Sequence, residues 1–142
     1  MPPTDVTALT AAEASGKIAQ GAISAEEFTA ACLERIAEVA QAMRVALEQT
    51  DWTETGRLMR EEWNFRKRNL PTISTKTIDR IIEGARRKGA LSGKVCGAGG
   101  GGCVVMLIEP DARASVEKAV GDSGGQLLPM KIDRSGVQVT VS

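Results

Sequence analysis

The run Lys94–Cys103, KVCGAGGGGC, holds the residue types and spacing in this chain that could do chemistry. Five of its ten residues are glycine, and it leads straight into the apolar segment Val104–Ile108. Glycine reaches positive φ and lets another group approach the backbone, at an entropic cost when it is ordered. Several glycines between two segments of strand character allow consecutive N–H groups to form a concavity that favours an anion, typically a phosphate. The competing reading is a hairpin connection with loose geometry. Two nucleotide-binding patterns do not fit. A strand rather than a helix follows the loop and no acidic ribose partner stands at the expected distance, so the Rossmann fingerprint fails; no Gly-Lys-Ser/Thr follows, so Walker A fails as well.

Other chemistry is excluded by composition. Histidine is absent, which removes Ser-His-Asp and Cys-His catalysis and most zinc sites. Three cysteines without framework spacing point to a reduced, cytoplasmic setting. Cys96 and Cys103 flank the glycine loop and read either as hairpin neighbours or, by preference, as small buried hydrophobes. Met1–Asp5 lacks the charged start and apolar core of a signal peptide, and no apolar stretch approaches membrane length. The net charge is zero, so neither nucleic acid nor an anionic membrane is an expected partner. Charge is uneven, however. Residues 1–56 carry nine acids and three bases, residues 57–88 ten bases and four acids, and 89–142 five of each. The central excess of ten minus four, +6, reads as solvated helix faces or as a surface meeting a phosphorylated or carboxylated ligand. The four aromatic residues Phe28, Trp52, Trp63 and Phe65 are too few and too scattered to stack bases.

The elements that must position the loop follow from caps and periodicity. Thr10–Glu13 and Ser24–Glu27 are capping boxes. The first opens a short helix ended by Gly21. The second opens a helix of about 26 residues, roughly 40 Å long, with Phe28, Cys32, Ile36, Val39, Met43 and Leu47 inward. Asp51–Glu54 starts a third helix, which Pro71 stops. Ser74 and Thr75 are cap candidates for a fourth, with Ile78, Ile81, Ile82 and Ala85 on one face and Gly89 as its stop. The period then changes. Ala90–Val95 and Cys103–Ile108 read as strands joined by the glycine loop, Pro110–Val120 as a surface helix, and Gln126–Ile132 and Val137–Val141 as a strand pair turning at Asp133–Gly136. The expected fold is α+β: a helical first two-thirds packed on one face of a small antiparallel sheet, with βαββ at the C-terminus. Residues 1–23 are expected to form a helical extension and 24–142 the domain.

The stretch Gly89–Cys103, GALSGKVCGAGGGGC, closely resembles the third motif of the GHMP kinases, which include galactokinase and the homoserine, mevalonate and phosphomevalonate kinases. Within that superfamily, Glu61–Arg68 (EEWNFRKR), Pro71–Thr75 (PTIST) with Ile78 and Asp79, Ile36–Leu47 (IAEVAQAMRVAL) and Gly136-Val137 look most like the heptose-phosphate kinase branch. Separately, Thr7–Glu13, Gly21–Glu27 and Ala31–Ile36 resemble the N-terminal helices of amidase-signature enzymes, without that family's Ser-Ser-Lys machinery; this part reads as a structural helical hairpin.

The kinase resemblance implies a ferredoxin-like C-terminal domain on the substrate side of an ATP-dependent sugar or sugar-phosphate kinase. It implies that Gly97, Ala98, Gly99, Gly100, Gly101 and Gly102 line a phosphate site and that Lys94 helps to hold the loop. Trp63, Arg66, Lys67 and Ser74 are weaker sugar-side candidates, each with a plainer reading: core for Trp63, solvated cations for Arg66 and Lys67, a helix cap for Ser74. The family's Gly-Leu-Gly-Ser-Ser phosphate loop, its base and its Mg²⁺ ligand belong to an N-terminal domain, and none is found in this sequence; the apolar strand that normally precedes these helices is not evident either. ATP and Mg²⁺ are therefore expected only with that half as partner, and no turnover is expected from this chain alone. The alternative is a non-catalytic module that binds a small anion or self-associates.

Overall fold

The computed structural model describes residues 5–140, so the signal-peptide reading of Met1–Thr4 and the expected strand end at Val141 lie outside the described residues. The capping signals predict the helix starts well. Helix α1 spans Ala11–Ala19 and α2 spans Ala25–Glu48, and each begins with a complete capping box. The Glu27 N–H donates to Ser24 Oγ at 3.0 Å while the Ser24 N–H donates to Glu27 Oε2 at 2.8 Å. Helix α3, Trp52–Asn69, is capped by the Asp51 carboxylate, which accepts from the Glu54 N–H at 2.9 Å. Pro71 follows α3 and opens a single 3-10 turn, Pro71–Ile73. Helix α4, Lys76–Arg86, is capped by Thr75.

Strands β1 (Ala90–Val95) and β2 (Val104–Ile108) pair antiparallel, with Lys94 opposite Val105 and Val95 opposite Val104; a bulge lies between Ala90 and Ser92. Gly89 (φ +105°) makes the turn into β1 where a Cβ would stand 2.3 Å from Ala112 Cβ, so no other residue fits there. Helix α5, Arg113–Asp122, follows a 3-10 turn at Pro110–Ala112.

Two apolar clusters fill the interior. Trp63, Ile73, Ile78, Ile82 and Val95 form one, and Ile81, Ala85, Ala90, Val116 and Val120 the other, with Met106 packed against both. Helix α4 divides them, since its Ile78–Ile82 and Ile81–Ala85 pairs at i, i+4 present two adjacent apolar rows. Both α3 and α4 contact β1. Ser92 and Lys94 meet Met59 and Glu62 of α3, whereas Gly93 lies against Ile82 of α4. Trp63 of α3 nevertheless joins Ile82 of α4 and Val95 of β1 in one cluster, so both helices pack on the side of β1 to which Gly93 and Val95 point.

Three expectations are corrected. The pair Gln126–Ile132 and Val137–Val141 does not form: no strand occurs among the described residues beyond β2. Leu127, Leu128, Met130, Ile132, Val137 and Val139 are exposed there instead. Local turn chemistry survives, with Asp133 accepting from the Ser135 N–H at 2.7 Å and Gly136 at φ +69°, but a lone two-stranded hairpin without a packed face is marginal in water. On α2, Ile36 and Leu47 are exposed while Ala46 is buried. The seam toward α3 runs through Arg35, which pairs with Glu61, and each residue is turned about 100° from the last, so Ile36 falls off it. Cys96 and Cys103 are exposed rather than buried, because the adjacent Val95 takes the inward position (0% exposed). The α+β class itself stands.

The part of the basic belt on α3 is largely satisfied within the molecule. Arg57 pairs with Glu54 and Glu61, Arg60 donates to the Leu91 carbonyl, and Arg68 lies 5.0 Å from the Phe65 ring centroid. Among the described residues no helix is long and apolar enough to cross a membrane.

Candidate functional site

The glycine loop closes the β1–β2 hairpin. The Cys96 N–H donates to the Cys103 carbonyl at 2.8 Å, and the six residues Gly97–Gly102 lie beyond it. Gly97, Gly99, Gly100 and Gly102 have φ of +80°, +88°, +75° and +85°, conformations that a Cβ disfavours. At Gly99 the need is steric as well, since a Cβ would stand 2.2 Å from Ile73 Cγ1 and 2.7 Å from the Ile73 carbonyl oxygen. The Gly100 N–H donates to that same carbonyl at 2.8 Å. The loop therefore rests on the turn Pro71–Ile73. Its other side is open, with nothing within 4 Å of where a Cβ would sit at Gly97, Gly101 or Gly102. The backbone N–H groups of Gly97, Ala98, Gly99, Gly101 and Gly102 donate to no described residue.

Cations reach the loop through one carboxylate. Lys94 Nζ lies 2.6 Å from Glu62 Oε2 and Arg66 Nε 3.8 Å from Glu62 Oε1. Arg66 also donates through Nη2 to the Gly97 carbonyl at 3.0 Å, and its guanidinium lies 5.9 Å from the Trp63 ring centroid. Two cations on one carboxylate leave one positive charge in excess beside a row of undonated amides. An arrangement of this kind stabilises an anion at low reorganisation cost.

The remaining candidates separate. Lys67 and Ser74 meet at Asp79, with Lys67 Nζ at 3.4 Å and Ser74 Oγ donating at 2.9 Å to Asp79 Oδ1. Ser74 is not the cap of α4, a role Thr75 takes. Trp63 is 3% exposed and belongs to the core, not to an open sugar-facing surface; its Nε1 is buried without a partner among the described residues. Glu62 and Ile73, which organise the loop, were not singled out from the sequence. Glu62 had a legible signal in its i, i+4 spacing to Arg66, whereas Ile73 had none, because its role is set by where the loop folds back.

These features fall within a recognised domain family. A profile described as GHMP kinases C terminal matches residues 43–126, from the last turns of α2 to just beyond α5. The chain belongs to this family. Among its curated relatives, the mevalonate kinase of Thermococcus sibiricus is 37% identical over 67 residues, 47% of this chain and 20% of that protein. The D-glycero-alpha-D-manno-heptose 7-phosphate kinase of Campylobacter jejuni is 26% identical over 113 residues, 80% of this chain and 33% of that protein. The galactokinase of Mycobacterium bovis is 35% identical over 75 residues, 53% of this chain and 20% of that protein. The chain thus spans between a fifth and a third of the length of these kinases.

Proposed function

We propose that this chain is the substrate-side part of an ATP-dependent sugar or sugar-phosphate kinase, and that it does not transfer a phosphoryl group on its own. The observation that carries this reading is the glycine loop, fixed on one side by Ile73 and Arg66 and open on the other, with five backbone donors unused. The sugar assignment is supported by the heptose 7-phosphate kinase of C. jejuni, whose match takes in four-fifths of this chain.

In this reading ATP supplies the phosphoryl group when bound, and the chain's own residues orient and neutralise. The amides of Gly97, Ala98, Gly99, Gly101 and Gly102 face phosphate oxygens, while that of Gly100 holds the loop to Ile73. Lys94 neutralises Glu62 so that the Arg66 charge is not cancelled at the loop. Arg66, Lys67 and Ser74 lie toward the sugar, with Trp63 supporting Arg66 from beneath. Among the described residues no three His, Cys, Asp or Glu side chains gather as metal ligands do. Phosphoryl transfer depends on positioning and charge stabilisation supplied together; one loop provides a share of the second. The proposed partner is a separate N-terminal kinase half that supplies the nucleotide and metal contacts.

Calorimetric titration with ATP and, separately, with a sugar phosphate tests the reading. Saturable binding of either is expected, with no sugar phosphorylation by this chain alone and phosphorylation when an N-terminal half of a related kinase is added. Heat from neither ligand removes the loop's assigned role, and turnover by the chain alone removes the incomplete-kinase reading. A second reading, a self-associating module, is favoured by the apolar side chains exposed at Leu127–Val139. A dimer by light scattering, with no heat from either ligand, would support it.

A further inference from the structure

We propose that Cys96 and Cys103 form a dithiol modification site, at which a low-molecular-weight disulfide of the glutathione class converts the two thiols into an internal disulfide at the base of the glycine loop. The two residues continue the β1–β2 register by one step beyond Val95 and Val104, and the Cys96 N–H to Cys103 carbonyl bond of 2.8 Å seals that step. Directly opposed residues at a hydrogen-bonded antiparallel position have Cα atoms about 5.5 Å apart and side chains on the same side of the ladder. Disulfides accept Cα separations of about 4.4–6.8 Å. A disulfide also needs Cβ atoms about 3.5–4.5 Å apart, against about 5.5 Å at a hydrogen-bonded pair, so closure asks for side-chain rotation and for the two strand ends to draw together by about 1 Å.

Two further features make the site usable. Val95 is wholly buried, so the pleat turns Cys96 outward, and both thiols are exposed and free. On the loop side the pair is followed by residues that are glycine at five of six positions, so the backbone there can absorb the adjustment. Cys32 lies on α2, outside the hairpin, and serves as an internal reference.

The chemistry balances. The Cys96 thiolate attacks one sulfur of oxidised glutathione, forming a mixed disulfide and releasing one glutathione thiolate. The Cys103 thiolate then attacks the Cys96 sulfur, forming the internal bond and releasing the second glutathione. The protein gives up two protons and two electrons, and oxidised glutathione is reduced to two thiols. Exposed disulfides of this sort are the readily reversed ones. The site stands on the hairpin geometry alone. Its consequence, a covalent clamp across the two ends of Gly97–Gly102, matters for ligand binding only if the loop reading above holds.

The full chain is incubated with mixtures of reduced and oxidised glutathione, quenched in acid, alkylated and digested with trypsin. Cleavage after Lys94 and Arg113 places both cysteines on one peptide, Val95–Arg113. The expected result is loss of two of the three alkylatable thiols, a peptide lighter by two hydrogens, a monomer on a non-reducing gel and an alkylated Cys32. Cys103→Ser is expected to stop at a glutathione adduct on Cys96. Wild-type protein that accumulates glutathione adducts on both cysteines, or disulfide-linked dimers, overturns the proposal. The wild-type peptide decides the matter even if the serine variant fails to fold. Mass reads the disulfide and calorimetry reads the anion, so either assignment can fail while the other stands.

Discussion

Gly99 is the most constrained residue in the loop, because its φ of +88° and its contact with Ile73 each exclude a side chain. Gly99→Ala is expected to cost about 1–3 kcal/mol through backbone strain, with a further penalty if Ile73 cannot move. Gly101 has open space and no positive φ, so Gly101→Ala is expected to change stability by less than about 0.5 kcal/mol. Urea denaturation of the two variants measures the contrast, and equal losses would show that the loop is not held as described. Arg66→Ala tests the charge at the same scale. It removes the bond to the Gly97 carbonyl and the cation above Trp63. Binding of ATP or a sugar phosphate is expected to weaken at least about tenfold, as for a lost charge-assisted hydrogen bond of about 1.5–3 kcal/mol. Unchanged binding would separate Arg66 from the site.

At the scale of elements, the helix starts depend on carboxylates that titrate. Hydrogen bonds from the Thr10 backbone and hydroxyl hold the Glu13 carboxyl below its ordinary range, and those from Ser24 do the same for Glu27. A folded-state value below the unfolded one contributes stability that is full above the unfolded pKa and lost as pH falls through the folded one. Far-UV circular dichroism is therefore expected to show α1 and α2 fraying on acidification below the ordinary glutamate range, about pH 4.3. Glu27→Ala should lower helicity at neutral pH and flatten that dependence; an unaltered acid profile would count against the box. Ser24→Ala is expected to cost about 1 kcal/mol by loss of the cap.

The caps were legible in sequence because they are local: a side chain meets an N–H three residues away. So were the strands on either side of the loop, since their apolar runs and the glycines between them lie close in the chain. What sequence left open was everything settled between distant segments. Trp63 reads equally as core or as ligand platform until α4 and β1 are seen to cover it. Ser74 reads as a cap until Asp79 is found to accept its hydroxyl. The pattern Leu128, Met130, Ile132 predicts a strand by period alone, yet a strand needs a neighbour to accept its hydrogen bonds.

For the whole molecule, the question is what the segment beyond α5 contributes. Gly125 packs tightly on Val120, where a Cβ would stand 2.7 Å from Val120 Cγ1, and the family match ends at residue 126. No described residue after that point joins either apolar cluster. Because hydrophobic stabilisation follows area removed from water, a segment exposed along its length adds little to folding. It does present six large apolar side chains to solvent, from Leu127 to Val139, a load that favours association. Truncation after residue 126 is accordingly expected to change unfolding stability by less than about 0.5 kcal/mol, within the range of surface changes, while lowering both apparent mass by light scattering and binding of an apolar dye. A large drop in stability would mean that the segment pairs with the domain in solution, on the open edge of β1 or β2. A stable monomer before and after truncation would remove self-association from this end of the chain.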